Sequence, residues 1–166
     1  MSRTSTPLPV GACAPDFSLR DQHGQTVSLS SFAGHKAVAL VFYPAAFSGI
    51  CTGELREVRD GLGDFEGDDI QVLAISCDPM YALRAWADIE GHFFPLLSDF
   101  WPHGATASAY GVFSTERGTA GRGTFLIDKD GVVRWTLVNP PGLARDFSSY
   151  REALARLRGR EAARVG

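Results

Sequence analysis

An unbroken apolar run, Ala37 to Tyr43, stops at Pro44, and from Ser48 the apolar residues return at a different interval, as Cys51, Leu55, Val58, Leu62 and Phe65. The first run has no polar alternation, the pattern of a strand covered on both faces. Pro44 has no N–H to give to a ladder and closes it. The second run has helical spacing and predicts a helix from Ser48 to about Glu66. The chain therefore turns from strand to helix within a few residues, and Cys51 falls in the first turn of that helix, on its apolar stripe.

The same two periods organise the rest. Phe17 to Leu19 and Thr26 to Leu29 alternate on either side of Asp21-Gln22-His23-Gly24, predicting a hairpin that covers one end of a larger sheet. Ile70 to Ser76 reads as a second buried strand, about Met80 to Glu90 as a helix, Pro95 to Leu97 as a short strand and Ala105 to Tyr110 as a short helix. Gly123 to Asp128 and Val132 to Val138, turning at Lys129-Asp130-Gly131, predict a second hairpin, and about Phe147 to Arg158 a closing helix. Strands separated by helices imply a parallel portion of sheet, and the hairpins add antiparallel strands. The expected class is α/β, a mixed central sheet with helices on both faces and an N-terminal β-hairpin. With 166 residues, 45% of them hydrophobic, one domain over 1–166 is expected, residues 1–9 being mobile.

Charge and cysteine usage narrow the function. A net charge of -3 provides no basic field for nucleic acid. Met1 to Val10 is polar and proline-containing, and no run approaches the roughly 20 apolar residues of a membrane span. The expectation is a cytoplasmic protein that uses neither membrane nor nucleic acid. Cys13, Cys51 and Cys77 are too widely spaced for a zinc site and odd in number for a disulfide framework, so free thiols are expected. His23, His35, His92 and His103 show no metal spacing, and no metal or cofactor is implied.

A helix's first turn leaves backbone N–H groups unpaired and carries the positive end of the dipole, which favours a thiolate over a thiol. Because Cys51 shares a stripe with Leu55 and Val58, its sulfur should face a partly closed, largely apolar pocket. Burial opposes ionisation there, so a cationic partner is required. Taken singly, these residues have plainer readings. Cys51 would be packing, Ser48 an N-cap bonding the Cys51 N–H, Pro44 a strand terminator and Arg122 half of a surface ion pair. Tyr43 and Trp101 read equally well as pocket lining or as core.

A thiol at a strand-to-helix turn resembles the thioredoxin fold, but Ser48-Gly49-Ile50-Cys51 stands where thioredoxins carry Cys-x-x-Cys. Pro44-x-x-x-Ser48-x-x-Cys51 is instead similar to the peroxiredoxin signature. The resemblance extends through Ala14-Pro15-Asp16-Phe17, Phe94-Pro95-Leu96-Leu97-Ser98-Asp99, Ala109-Tyr110-Gly111-Val112 and Arg122-Gly123-Thr124-Phe125. Ala46-Phe47-x-Gly49-Ile50-Cys51-x-Gly53-Glu54-Leu55 and the run Leu96 to Ala105 resemble the alkyl hydroperoxide reductase E group within that family. The resemblance implies a single thioredoxin-like domain that reduces hydrogen peroxide, organic hydroperoxides or peroxynitrite without metal, haem or flavin. It makes Cys51 the nucleophile that becomes a sulfenic acid, Ser48 a hydroxyl donor to peroxide, Pro44 a shield against water and Arg122 the needed cation. Glu54 would orient Arg122.

The cycle must then close on a second thiol. Arg56 occupies the position five residues after Cys51 where commoner peroxiredoxins place a resolving cysteine, and no cysteine follows Cys77. Cys77 reads as structural and Cys13 as part of a mobile N-terminal segment, so a one-cysteine scheme with an external thiol is expected. By resemblance, that reductant is a low-molecular-weight thiol with a mycoredoxin- or glutaredoxin-like protein, or thioredoxin, and the protein is a homodimer. Two rivals remain at this stage, a thiol–disulfide oxidoreductase and a redox sensor oxidised only once.

Overall fold

The computed structural model describes residues 6–61, 67 and 69–165. Strands β1 (Ser18–Arg20), β2 (Thr26–Ser28), β3 (Ala37–Phe42), β4 (Ile70–Ser76), β5 (Leu96–Ser98), β8 (Arg122–Ile127) and β9 (Val133–Asn139) form one seven-stranded sheet in the order β2-β1-β5-β4-β3-β8-β9. β3 runs parallel to β4 and antiparallel to β8, and β4 runs parallel to β5, so the sheet is mixed. The helices are α1 (Gly49–Asp60), α2 (Met80–Glu90), α3 (Ala105–Ala109) and α4 (Ser148–Val165). A separate ribbon pairs β6 (Phe113–Ser114) with β7 (Thr119–Ala120).

The unalternated apolar strands follow from burial on both faces. In β3, Ala37, Ala39 and Val41 join Cys51, Leu55, Trp86 and Leu154 in one core, beneath α1, α2 and α4. Val38, Leu40 and Phe42 enter a second core on the opposite face with Ala107, Tyr110 and Phe125. Burying each large side chain contributes about 1.5–3 kcal/mol, which makes β3 the centre of both layers.

Four expectations are revised. Helix α1 ends at Asp60, where the Gly61 N–H donates to the Glu57 carbonyl at 3.0 Å, while Leu62 and Phe65 lie outside the described residues. The first hairpin does not cover an end of the sheet but extends its edge, through Arg20 opposite Ser98 on β5. The N-terminal segment is anchored from Thr6 onward: the Leu8 N–H donates to Tyr110 O at 3.1 Å, and Cys13 bridges to Val132. Gly111, at φ 71°, admits this docking, since a Cβ there would stand 2.0 Å from the Thr6 carbonyl oxygen. Residues 1–5 lie outside the described residues. The closing helix is also longer than expected, reaching Val165. The ribbon β6–β7 and a 3-10 turn at Leu29–Phe32 are too short for periodicity to reveal.

One buried residue makes this fold acid-sensitive. His92 packs between Trp86 and Phe94, at ring distances of 5.0 and 5.2 Å, and neither ring nitrogen has a partner among the described residues. Burial, and then the nearby Arg59, pull its pKa from the ordinary 6.5 down to about 4. The unfolded chain takes up this proton near 6.5 and the folded chain only near 4, so stability is greatest above 6.5 and is lost as pH falls between these values. His92→Phe is expected to remove up to about 3 kcal/mol of that loss. Urea unfolding at pH 7 and pH 4.5 measures it, and an unchanged difference between the two would refute the assignment.

Candidate active site

Cys51 stands third in helix α1, behind Ser48 at the N-cap position in extended backbone and with its carbonyl accepting the Thr52 N–H at 2.9 Å. The Ser48 hydroxyl makes no capping bond, contrary to the plain reading, and is buried without a partner among the described residues. The sulfur is 0% exposed, so the expected partly closed pocket is closed in this conformation. Pro44 is half-buried and follows Tyr43, whose N–H donates to Ile75 O at 3.0 Å and prolongs the β3–β4 pairing by one residue.

β8 lies beside β3, and its first residue, Arg122, brings a buried guanidinium to the sulfur. Arg122 Nη1 donates to Cys51 Sγ at 3.4 Å and also to Glu54 Oε1, while Nε donates to the Pro141 carbonyl at 2.7 Å. Arg122 is therefore not a surface residue. Glu54, one helical turn after Cys51, is buried and meets a second guanidinium that sequence reasoning does not single out. The Arg145 N–H and Nε both donate to Glu54 Oε2 at 2.8 Å, and Nη2 donates to Oε1 at 3.1 Å. Arg145 Nη1 completes the set on Gly123 O and Thr124 Oγ1 at 3.2 and 3.0 Å. Burial raises the Glu54 carboxyl pKa, but the bonds and charge of Arg145, with the charge of Arg122, outweigh that and hold it below the ordinary range.

Hydrogen bonds thus join Cys51, Arg122, Glu54 and Arg145, while Ser48 and Pro44 belong to the connection leading into α1. No local signal marks Arg145: 91 residues separate it from Glu54. A buried carboxylate facing two guanidiniums leaves one positive charge uncompensated, so the cluster attracts a further anion at the sulfur. At an effective dielectric of about 20, two unit charges 4 Å apart interact by about 4 kcal/mol.

Other candidates lie outside this hydrogen-bonded cluster. Trp101 is 82% exposed and lines a different cavity of about 540 Å³ with Arg20 and Tyr81. Tyr43 is core, with its ring 5.5 Å from that of Trp86. Cys77 enters the second core, on the other face of the sheet, and burial and then Asp99 push its thiol pKa up to about 12. Cys13 is exposed beside Val132, at the far end of the β8–β9 pair from Arg122. Five residues of strand put that end about 17 Å away. Among the described residues, no three His, Cys, Asp or Glu side chains group as metal ligands, and no helix is long and apolar enough to cross a membrane.

Comparison with known proteins adds four findings. Residues 10–136 match the model of the AhpC/TSA family. Alkyl hydroperoxide reductase E of Mycobacterium tuberculosis is 53% identical over 150 residues, covering 90% of this chain and 98% of the relative. Among solved structures, the peroxidoxin BcpB of Mycobacterium tuberculosis superposes with a TM-score of 0.77 at 33% identity, over 90% of this chain and 96% of that one. The reduced 2-Cys peroxiredoxin of Plasmodium vivax superposes at 0.83 and 27% identity, over 94% and 85%. The mixed sheet with its flanking helices is therefore the thioredoxin-like architecture.

Proposed function

Because the chain belongs to the AhpC/TSA family, as a thiol-dependent peroxidase of the alkyl hydroperoxide reductase E type, we propose that Cys51 is the sulfur that attacks peroxide. The observation that carries this reading is the 3.4 Å contact from Arg122 Nη1 to Cys51 Sγ, inside a cluster one negative charge short of neutral. A thiolate at Cys51 supplies the missing charge, aided by the first-turn N–H groups of α1.

The sulfur lone pair forms an S–O bond to the near peroxide oxygen as the O–O bond breaks. The bonding pair departs with the far oxygen, which takes up a proton and leaves as water or an alcohol, or leaves as nitrite when the substrate is peroxynitrite. Cys51 becomes a sulfenic acid. Negative charge develops on the departing oxygen, so donors aimed there lower the barrier. Arg122 supplies a fork of donors and Ser48 a hydroxyl that is otherwise unused. Pro44 fits as a group without an N–H that keeps water from the sulfur, and Glu54 with Arg145 holds the Arg122 fork in place. Hydrogen peroxide, organic hydroperoxides and peroxynitrite all offer the O–O bond this needs.

Regeneration in this reading uses one cysteine. Cys77 lies across the sheet and Cys13 at its far end, so an external thiol attacks the sulfenic sulfur, forms a mixed disulfide and releases water. A second thiol then frees Cys51. The resemblance favours a low-molecular-weight thiol with a mycoredoxin- or glutaredoxin-like protein, or thioredoxin, acting on a cytoplasmic homodimer. One equivalent of peroxide with dimedone present, followed by peptide mass analysis, tests the assignment. The adduct is expected on Cys51 alone, and added thiol in its place restores the free cysteine. Label on Cys13 or Cys77, or a disulfide within the chain, would overturn it.

A further inference from the structure

Asp78 follows the end of β4 and uses one carboxylate oxygen twice. Oδ2 accepts the Ala46 N–H at 2.8 Å and the Ser76 hydroxyl at 2.7 Å. Ser76 is fully buried and in turn accepts the Asp78 N–H at 3.3 Å, while the Asp78 carbonyl accepts the Ser98 hydroxyl at 2.6 Å. Asp78 is thereby fixed to the end of β4 through its carboxylate and N–H and to the end of β5 through its carbonyl. From there it reaches across to the connection that carries Pro44 and Ser48 into α1.

That connection needs such a hold. Its own closing bond, Ser48 N–H to Ala45 O, is long at 3.4 Å. Phe47, directly before Ser48, sits at φ 68°, a left-handed conformation that a residue with a side chain adopts only when its surroundings enforce it. A carboxylate oxygen suits the task because it only accepts, and so can take the amide and the hydroxyl together.

We propose that Asp78 is a positioning residue for peroxide reduction: by clamping the Ala46 amide, it holds the strand-to-helix connection so that the Ser48 hydroxyl meets the peroxide. The inference rests on Cys51 being the attacking sulfur. Asp78 acts through the loop, so its loss should slow the peroxide reaction far more than a reaction of Cys51 that needs no hydroxyl donor.

Rapid mixing with hydrogen peroxide, followed by Trp fluorescence, is compared with iodoacetamide alkylation of Cys51 in the wild type, Asp78→Ala and Asp78→Asn. Misplacing a reacting group by about 1 Å costs on the order of 100-fold, so Asp78→Ala is expected to lose about 10- to 100-fold in peroxide rate while alkylation stays within about twofold. Asp78→Asn, whose amide oxygen can accept both bonds, recovers to within about fivefold of wild type. Amide exchange at Ala46 should accelerate at least about tenfold in Asp78→Ala and not in Asp78→Asn, as expected for a lost charge-assisted bond. An Asp78→Ala variant as fast as wild type, or one slowed equally in both reactions, overturns the clamp while leaving the Cys51 reading intact. A wild type inert to peroxide overturns both.

Discussion

Arg122→Ala is expected to slow oxidation of Cys51 by peroxide about 1,000-fold, read as the second-order rate of the Trp fluorescence change on rapid mixing. Two losses combine. One donor aimed at developing charge in a closed site is worth about 100- to 1,000-fold in rate. Removing this guanidinium's charge also leaves Glu54 and Arg145 as a neutral pair, so an anionic sulfur would make the cluster net negative instead of neutral. Arg122→Lys separates the contributions. It keeps the charge but not the fork, and it loses the Nε bond to Pro141 O that aims the group, so an intermediate loss of about 10- to 100-fold is expected. An Arg122→Ala rate within threefold of wild type would remove Arg122 from the chemistry.

The parts of this site that are legible in sequence are those the chain makes locally. A strand, a proline and a helical stripe, all between Ala37 and Val58, place Cys51 in a first turn, because both periods are set by backbone geometry. Ser48 is legible as a residue at the helix start, though not that its hydroxyl stays unpaired among the described residues. Arg122 is marked only by family resemblance, since an arginine opening a strand has no local sign of burial. Arg145 and Asp78 are not legible at all: their partners Glu54 and Ala46 lie 91 and 32 residues away and meet them only after the sheet is assembled. The fold divides the same way. Long buried strands announce themselves by composition, whereas the two-residue strands β6 and β7 and the edge position of the first hairpin depend on neighbours.

Glu54→Ala is expected to destabilise the fold by about 3–5 kcal/mol in urea unfolding at pH 7, the cost of removing one partner from a buried ion pair. It would leave two guanidiniums, 3% and 0% exposed at their side chains, facing each other without the carboxylate they share. Its signature is a changed pH dependence. The Glu54 carboxyl titrates below its ordinary value in the folded chain, so its stabilisation is fully present above the unfolded value near 4.5 and is lost as pH falls through the folded value. Glu54→Ala has nothing to lose in that range, and its stability should vary less with pH below 4.5 than the wild type's. Arg145→Leu gives the opposite imbalance. Glu54 and Arg122 remain as a neutral pair, so an anionic Cys51 is no longer offset, and peroxide oxidation near pH 7 should slow about tenfold, the effect of about 1.4 kcal/mol. Among the described residues it is Arg122, not Arg145, that bonds the sulfur, so this loss acts through charge and not through a donor. If Glu54→Ala unfolds at the wild-type urea midpoint, the four groups do not form one electrostatic unit, and the charge balance proposed for the thiolate fails with it.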